Sequence, residues 1–479
     1  MEPKRNRFVT NAFWSVFGTF LVRAINLVSI PIFSRILNSA EYGDANIFLT
    51  YVSIFTIIVC LDSYGTFGKG VISFKDDIPG FLSVGLSYTT GISLCMLAAF
   101  NIFADPLGRL MAMSRSELNA LIIYSHAMAI VAFVSQYYLF NFRYKANAAL
   151  SLTAGLTNLL LSILFILTVF KSDRVSGRIW GATLPTVIMA IILIVYYLRK
   201  GKKIVNAAYI KHYLKGIPLI PHNLSHFILG NSDKIMIKSM IGSAENGVYS
   251  LVYNVGLMAA VLIEAFNNVW NPWMFRKMDE GDTKVLKKAY VLYALGFSAV
   301  IMAVEAVTPE VIKVFAPQEY WEGNRFVLWI VFSTYLIFIY QLYVNIEFYE
   351  LRTEMISVGT VIAAAVNVVL NVLFLKKNGY GFAAVSTIIA YFALYIFHML
   401  ICTYVLDRHI INNLKIGVMV LITFLVTVGL QMAIDMWILR WIFALILGAF
   451  ILIAGYGFYN NMIRQDAVKG TDKDIKGDK

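Results

Sequence analysis

The chain has 479 residues, of which 59% are apolar and only 14% charged, and its mean hydropathy is +0.71. An ordinary soluble domain carries about 25% charged residues, and no single soluble core buries this much apolar surface. These numbers argue against a soluble enzyme, a disordered chain and a nucleic-acid-binding domain, and the net charge of +12 reads instead as the Lys/Arg excess that orients membrane proteins.

Crossing about 30 Å of hydrocarbon takes about 20 helical residues, and fourteen apolar runs of that order follow one another. The first, 11–33, comes after Lys4-Arg5-Asn6-Arg7, a start resembling a signal peptide. The run is longer than a signal core and no small-residue cleavage site follows, so it is read as a retained helix. Runs at 45–63, 81–103, 119–141, 149–170 and 179–198 complete a first group of six. Residues 199–216 are basic. Here Ile204, Val205, Tyr209, Ile210 and Tyr213 alternate with lysines at helical spacing, the pattern of an amphipathic cytoplasmic stretch. A second group spans 218–240, 248–270, 289–308, 326–349, 355–375 and 382–405, followed by 416–436 and 439–459. The tail 465–479 has the composition of a disordered cytoplasmic end.

With the N-terminus inside, 26 Lys and Arg fall on the cytoplasmic side and 12 toward the other, counting Lys238 and Arg440 at the outer ends of their spans, with Arg23 and Lys234 deep within spans. The densest clusters, Arg199 to Lys203 and Arg276-Lys277 with Lys284, Lys287 and Lys288, are then cytoplasmic, as are both termini. Cys60, Cys95 and Cys402 lie in apolar stretches without metal-ligand spacing and read as packing residues.

The halves repeat. Ile36-Leu-Asn-Ser39-Ala-Glu41-Tyr-Gly43 matches Met240-Ile-Gly-Ser243-Ala-Glu245-Asn-Gly247 at an offset of 204, and Asn158 to Phe165 matches Asn367 to Phe374 at 209, which also places Arg143 on Arg352. An even number of spans per unit makes the repeats parallel, related by an axis along the membrane normal. The expected fold is therefore an all-α polytopic membrane protein of about 14 transmembrane helices. Two parallel six-helix repeats surround a central cavity, and two C-terminal helices are added. The domains are an N-terminal lobe over 1–198, a basic linker over 199–216, a second lobe over 217–406, two additional helices over 407–464 and the tail 465–479.

Phosphate-binding Gly-rich loops, zinc-protease and hydrolase motifs, and Cys/His clusters are absent from the sequence. No cofactor or metal is expected. A membrane glycan polymerase or transferase would present acids in a long outer loop, whereas Glu310, Glu319 and Glu322 are scattered on a short aromatic one. Transport outranks catalysis.

The run Asn231-Ser-Asp233-Lys234-Ile-Met-Ile-Lys238-Ser-Met-Ile-Gly242-Ser-Ala-Glu245-Asn-Gly247-Val-Tyr249 resembles the seventh-helix signature of polysaccharide flippases, of the multidrug/oligosaccharidyl-lipid/polysaccharide flippase superfamily. Asn11-Ala-Phe-Trp14 through Arg23 to Glu41-Tyr42-Gly43 resembles the first helix of that family, and Asn268-Val-Trp270-Asn-Pro272-Trp273 the end of its eighth. The resemblance implies two six-helix lobes and alternating access. The implied substrate is a lipid-linked oligosaccharide on undecaprenyl pyrophosphate, flipped across the bacterial plasma membrane beside a polysaccharide polymerase and glycosyltransferases. A cation-coupled multidrug exporter is the rival within the superfamily, and a non-transporting scaffold stands outside it.

Arg23, near the middle of span 1, would cost about 2.5–3.5 kcal/mol facing lipid. It reads either as a cation for the substrate pyrophosphate or as the partner of Asp233. Asn26, Asn223 and Lys234 join it as substrate-binding candidates, with Gln341 and Asn345, which share a stripe of span 10 with Tyr349 and suit sugar hydroxyls. His222, His226 and Asp233 lie on one face of span 7 and, with Glu264, are the candidates for sensing a coupling H+ or Na+. Glu264 and Asp62 read as water-exposed mouth residues.

Overall fold

The computed structural model describes residues 21–453, apart from the side chains of Leu219, His222, His226, Ala265 and Val269. The signal-like start, the end of the last span and the tail 465–479 lie outside the described residues. Among the described residues every regular element is a helix, as apolar chains that must satisfy their own backbone in lipid require.

The long helices are α1 (21–36), α2 (Ser39–Val59), α3 (Ile78–Ile102), α4 (Arg115–Phe140), α5 (Tyr144–Thr168), α6 (Arg174–Gly201) and α7 (Ile220–Met240). After them come α8 (Ser243–Asp279, with one tighter turn), α9 (Thr283–Phe315), α10 (Val327–Tyr349), α11 (Thr353–Asn378), α12 (Phe382–Val405), α13 (Asn413–Met432) and α14 (Trp437–Ile453). Each overlaps one apolar run of the sequence. Eleven are long and apolar enough to cross a membrane, α14 is a shorter apolar helix, and α1 is described only in part. The polar band of α7, with Asn231, Ser232, Asp233 and Lys234, keeps that helix out of the eleven.

Polar residues at the ends dictate where helices start and stop. Asn38 and Ser114 cap α2 and α4 in reciprocal boxes with Glu41 and Glu117, and Asp77, Asp173 and Asn412 cap α3, α6 and α13. Left-handed residues end several helices, and two of these endings repeat at the offset of 209. Phe142 (φ 55°) follows α4 with Arg143 N–H bonded to the Tyr138 carbonyl, and Leu351 (φ 58°) follows α10 with Arg352 N–H bonded to that of Glu347. The sequence repeat is thus a backbone repeat.

The chain divides into two compact units, one of Met1–Leu251 with Phe315–Glu319 and Asn371–Tyr380, the other of Val252–Val314, Tyr320–Leu370 and Gly381–Lys479. In the first, α3, α4 and α6 enclose an aromatic core of Phe67, Phe81, Phe133, Tyr137 and Tyr197. The apolar face of the basic segment packs on protein. Ala207–Tyr213 forms a short helix whose Tyr209 and Tyr213 enter that core, with Tyr213 stacked on Phe81 at 4.5 Å and bonded to the Phe81 carbonyl. Ile204 and Val205 stay exposed. Lys203 and Tyr209 both reach Asp77, at 2.5 and 2.9 Å, which ties the segment down and raises the Lys203 pKa.

The second unit buries charge. Glu347 of α10 and His398 of α12 are fully buried and meet at 2.7 Å. Arg440 of α14, also fully buried, takes Glu310 of α9 at 2.8 and 2.5 Å and the Ala306 carbonyl at 2.7 Å. Thr427 of α13 donates to the buried Glu305 at 2.9 Å. Breaking such a pair costs about 3–5 kcal/mol, so these contacts hold the last two helices to α9.

Candidate functional site

Within the first unit α2 runs beside α7 and the start of α8, and the two copies of the Ser-Ala-Glu-x-Gly motif meet there. A methyl group on Gly43 would overlap the Ser243 carbonyl oxygen and lie 2.8 Å from the Gly247 nitrogen. One on Gly247 would overlap the Ser39 carbonyl oxygen, with the Ser39 carbonyl carbon at 2.7 Å. Ordinary contact begins near 3.4 Å, so only glycine permits this approach at either place. Polar groups lock the crossing. Asn246 donates to the Gly43 carbonyl at 3.0 Å, Ser243 donates to Asp44 at 2.6 Å, and Lys238 pairs with Asp44 at 2.9 Å.

The opposite end of the same helices is closed as well. Asp62, in a left-handed turn after α2 (φ 52°), is buried and accepts a hydrogen bond from Asn223 of α7 at 2.5 Å. A methyl on Gly216 would stand 2.9 Å from the Leu61 and Asp62 carbonyl oxygens, and Ser63 donates to the Tyr213 carbonyl at 3.3 Å. Asp62 is therefore no water-exposed mouth residue, because the segment before α7 covers it.

Between the two ends lie the charges of α7. Asp233 is 2% exposed and accepts from Tyr249 of α8 and Asn371 of α11, each at 2.7 Å. Lys234 is 7% exposed, with its Nζ 3.5 Å from Asn231 Oδ1. Arg23 is half-buried on α1 and Asn26, a turn later, is exposed. Farther along α1, Ser34 and Arg35 donate to the Phe315 carbonyl at 2.9 and 3.2 Å. His222 and His226 have side chains outside the described residues. The structure thus joins Asn223 to Asp62, and sets Asp233 beside Lys234.

A further cation belongs with these. Arg178, in the first turns of α6, donates to Asn158 and Ser162 of α5, both at 2.8 Å, and lies 4.2 Å over the Phe33 ring of α1. Asn158 in turn donates to Tyr124 at 2.9 Å. At the repeat offset Arg178 corresponds to Thr387, and Asn158 to Asn367, which donates to Thr387 at 3.2 Å. The two halves keep one polar junction and place a cation in it only once.

In the second unit Gln341 accepts from Asn267 at 2.6 Å, and Asn267 accepts from Tyr293 at 3.3 Å, whose ring stacks on Trp270 at 4.2 Å. Asn345, a turn from Gln341, is 6% exposed, and its amide nitrogen and Trp270 Nε1 are both buried without a hydrogen-bond acceptor among the described residues. Amides and stacked aromatics of this kind suit sugar hydroxyls and ring faces. Tyr349 points elsewhere, to Asp279 at 2.6 Å. Glu264 is exposed on α8, 15 residues before that helix ends.

Comparison with known proteins places this geometry. Residues 8–278 match the family model described as polysaccharide biosynthesis protein. The Lsg locus protein 1 of Haemophilus influenzae is 23% identical over 366 residues, 73% of this chain and 87% of that relative. The fold superposes on the lipid II flippase MurJ in an inward closed conformation with a TM-score of 0.68, at 14% identity over 94% of this chain and all of that one. It also superposes on an inward-facing multidrug resistance MATE family transporter of the MOP superfamily with a TM-score of 0.58, at 13% identity over 80% of this chain and 95% of that one. The chain is a multi-pass membrane protein with the fold of these transporters, and it belongs to the polysaccharide biosynthesis protein family.

Proposed function

We infer that the protein flips an undecaprenyl-pyrophosphate-linked oligosaccharide across the bacterial plasma membrane, exposing one binding site alternately to the two faces, with both termini in the cytoplasm. The observation that supports this reading is the set of buried and half-buried cations on long apolar helices, Arg23, Arg178 and Lys234, in a chain of a polysaccharide biosynthesis family. Charge in a membrane interior is a functional hypothesis by default, and cations there favour an anionic cargo over the cationic substrates of a drug exporter. The amide and aromatic cluster around Gln341, Asn345 and Trp270 is suited to the glycan. Asp233, gripped by Tyr249 and Asn371, is the group through which a coupling H+ or Na+ would act.

In this orientation the meeting of Gly43 with Gly247 is the outer closure, and the Asp62–Asn223 contact is the inner one. The test is Arg23→Ala with export of surface glycan as the readout. A substrate role requires loss of export at normal protein level in the membrane, with no recovery on adding Asp233→Ala. A purely structural pair gives the reverse, reduced folded protein that the double change restores. Full export by Arg23→Ala at wild-type expression removes Arg23 from the mechanism.

A further inference from the structure

Some basic side chains near helix ends here have an acid beside them: Lys203 has Asp77, Lys238 has Asp44, Lys277 has Glu280 and Arg408 has Glu350. Four lysines without such a partner gather in one place. Lys284, Lys287 and Lys288 occupy the first two turns of α9, and Lys415 the first turn of α13. All four are exposed, and none makes an ion pair or a side-chain hydrogen bond among the described residues. They do not point apart. Together with His409, Asn412 and Asn413 they line one cavity of about 580 Å³, whose remaining walls are Val291, Leu292 and Ile411. That volume is typical of a small-molecule site.

No carboxylate lines this cavity. Two acids lie close in sequence: Asp407 meets His409 at 3.0 Å and is 90% exposed, and Asp282 accepts from the Val285 N–H at 3.3 Å and faces Lys277 at 3.9 Å. Four like charges gathered around one space repel each other, and no carboxylate among the lining residues offsets them. The first turn of α13 adds the positive end of that helix. Lys284, Lys287 and Lys288 at i, i+3 and i+4 share one helix face, so their ammonium groups converge. Along α9 the charged mouth passes into Leu292 and Leu295, both exposed as lipid-facing residues are. A headgroup held by the lysines would therefore have its chains beside apolar side chains.

The geometry points to a binding site for a phosphate or pyrophosphate group, formed by Lys284, Lys287, Lys288 and Lys415 and opening toward lipid. This inference rests on the flippase reading only for its place in the cycle, where it is the cytoplasmic landing site of the substrate headgroup. The anion site itself stands on the cavity.

The test is a binding measurement and needs no transport. Full-length protein in neutral detergent is titrated with undecaprenyl pyrophosphate, with phosphatidylcholine and with inorganic pyrophosphate, and bound ligand is counted by native mass spectrometry. The pyrophosphate lipid is expected to bind and phosphatidylcholine not. Each Lys→Gln change should weaken binding about fivefold, as one lysine near an anionic headgroup should. The quadruple Gln variant should bind one lipid fewer than wild type, and the quadruple Arg variant, which keeps the charge, should match wild type. Inorganic pyrophosphate should compete. If it alone binds, and the quadruple Gln variant abolishes that binding, the anion site holds and its ligand is a soluble phosphate. The control is Arg199→Gln/Lys200→Gln/Lys202→Gln, another basic cluster. An equal loss in that control, or wild-type binding by the quadruple Gln variant, overturns the site. A protein that binds here and flips nothing refutes the proposed function and leaves this site standing.

Discussion

Replacing Gly247 by alanine tests whether the crossing of α2 and α8 is a closure that opens during the cycle. The added methyl would overlap the Ser39 carbonyl oxygen and stand 2.7 Å from its carbon, where ordinary contact starts near 3.4 Å. The obstacle is backbone on both sides, so no side chain can swing away, and the helices must separate by about 0.7 Å or more. Overpacking of this kind costs about 1–3 kcal/mol, and it costs that only in the state where the helices touch. If the protein alternates between touching and parted states, the balance moves toward the parted one by about 5- to 150-fold. The assay is cross-linking between Asp44→Cys and Ser243→Cys, whose native side chains are 2.6 Å apart, with Cys60, Cys95 and Cys402 replaced by serine. Gly247→Ala should slow disulfide formation in membranes by at least about fivefold, while the protein remains in the membrane at normal amount. Unchanged cross-linking together with unchanged glycan export would refute the closure. A fall in folded protein equal to the fall in cross-linking would assign the contact to folding alone.

Three other outcomes follow from the same structure. Single cysteines at Lys203 and Lys284 should be shielded from impermeant thiol reagents in intact cells and one at Lys376 or Glu322 labelled; labelling at Lys203 from outside would invert the orientation drawn from the 26-to-12 charge imbalance. His398→Ala should lower stability by about 3 kcal/mol, because Glu347 stays fully buried with only the Cys402 thiol at 4.0 Å in reach, and Glu347→Leu with His398→Leu should recover most of it; equal melting of His398→Ala and wild type would show the pair idle. The Lys203 pKa is raised by its bond to Asp77, so that tie is fully formed below the unfolded lysine value of about 10.5 and is lost as pH rises through the folded one. The melting difference between wild type and Lys203→Ala should therefore be constant through neutral pH and vanish in the alkaline range, and a difference that persists there would mean that charge is not what Lys203 contributes.

How much of this was legible in the sequence depended on the range of the interaction. Fourteen helices followed from apolar run length, a local property. Asp62 was not legible as buried, because what covers it, residues 213–223, lies some 150 residues away. Arg178 falls outside the apolar run 179–198, whereas the helix begins five residues earlier at Arg174, so run length alone leaves this half-buried cation in a loop. Its signal was present in Asn158 and Ser162, polar residues in an otherwise apolar run. The spacing of Tyr209 and Tyr213 was visible on one face of a helix, but periodicity alone does not say whether that face meets lipid or protein. The four lysines of the anion cavity were visible as charge, and only the fold brings Lys415 to the other three.

The repeat was legible as duplication and not as contact. Duplication alone would let the two Ser-Ala-Glu-x-Gly copies serve separate helices, each tuned to its own neighbours. Instead each glycine faces the serine carbonyl of the other copy, so the interface is self-complementary in the manner of a twofold dimer. This has a consequence for variants. Gly43→Ala and Gly247→Ala each force apart the same two backbone segments, so either alone should slow the Asp44–Ser243 cross-link to a similar degree. Once one methyl has parted the helices, the second finds the space already made. The double variant should therefore fall well short of the sum of the singles, as coupled neighbours do. Additive effects, or one silent glycine, would mean that the two copies of the motif meet without acting as one joint.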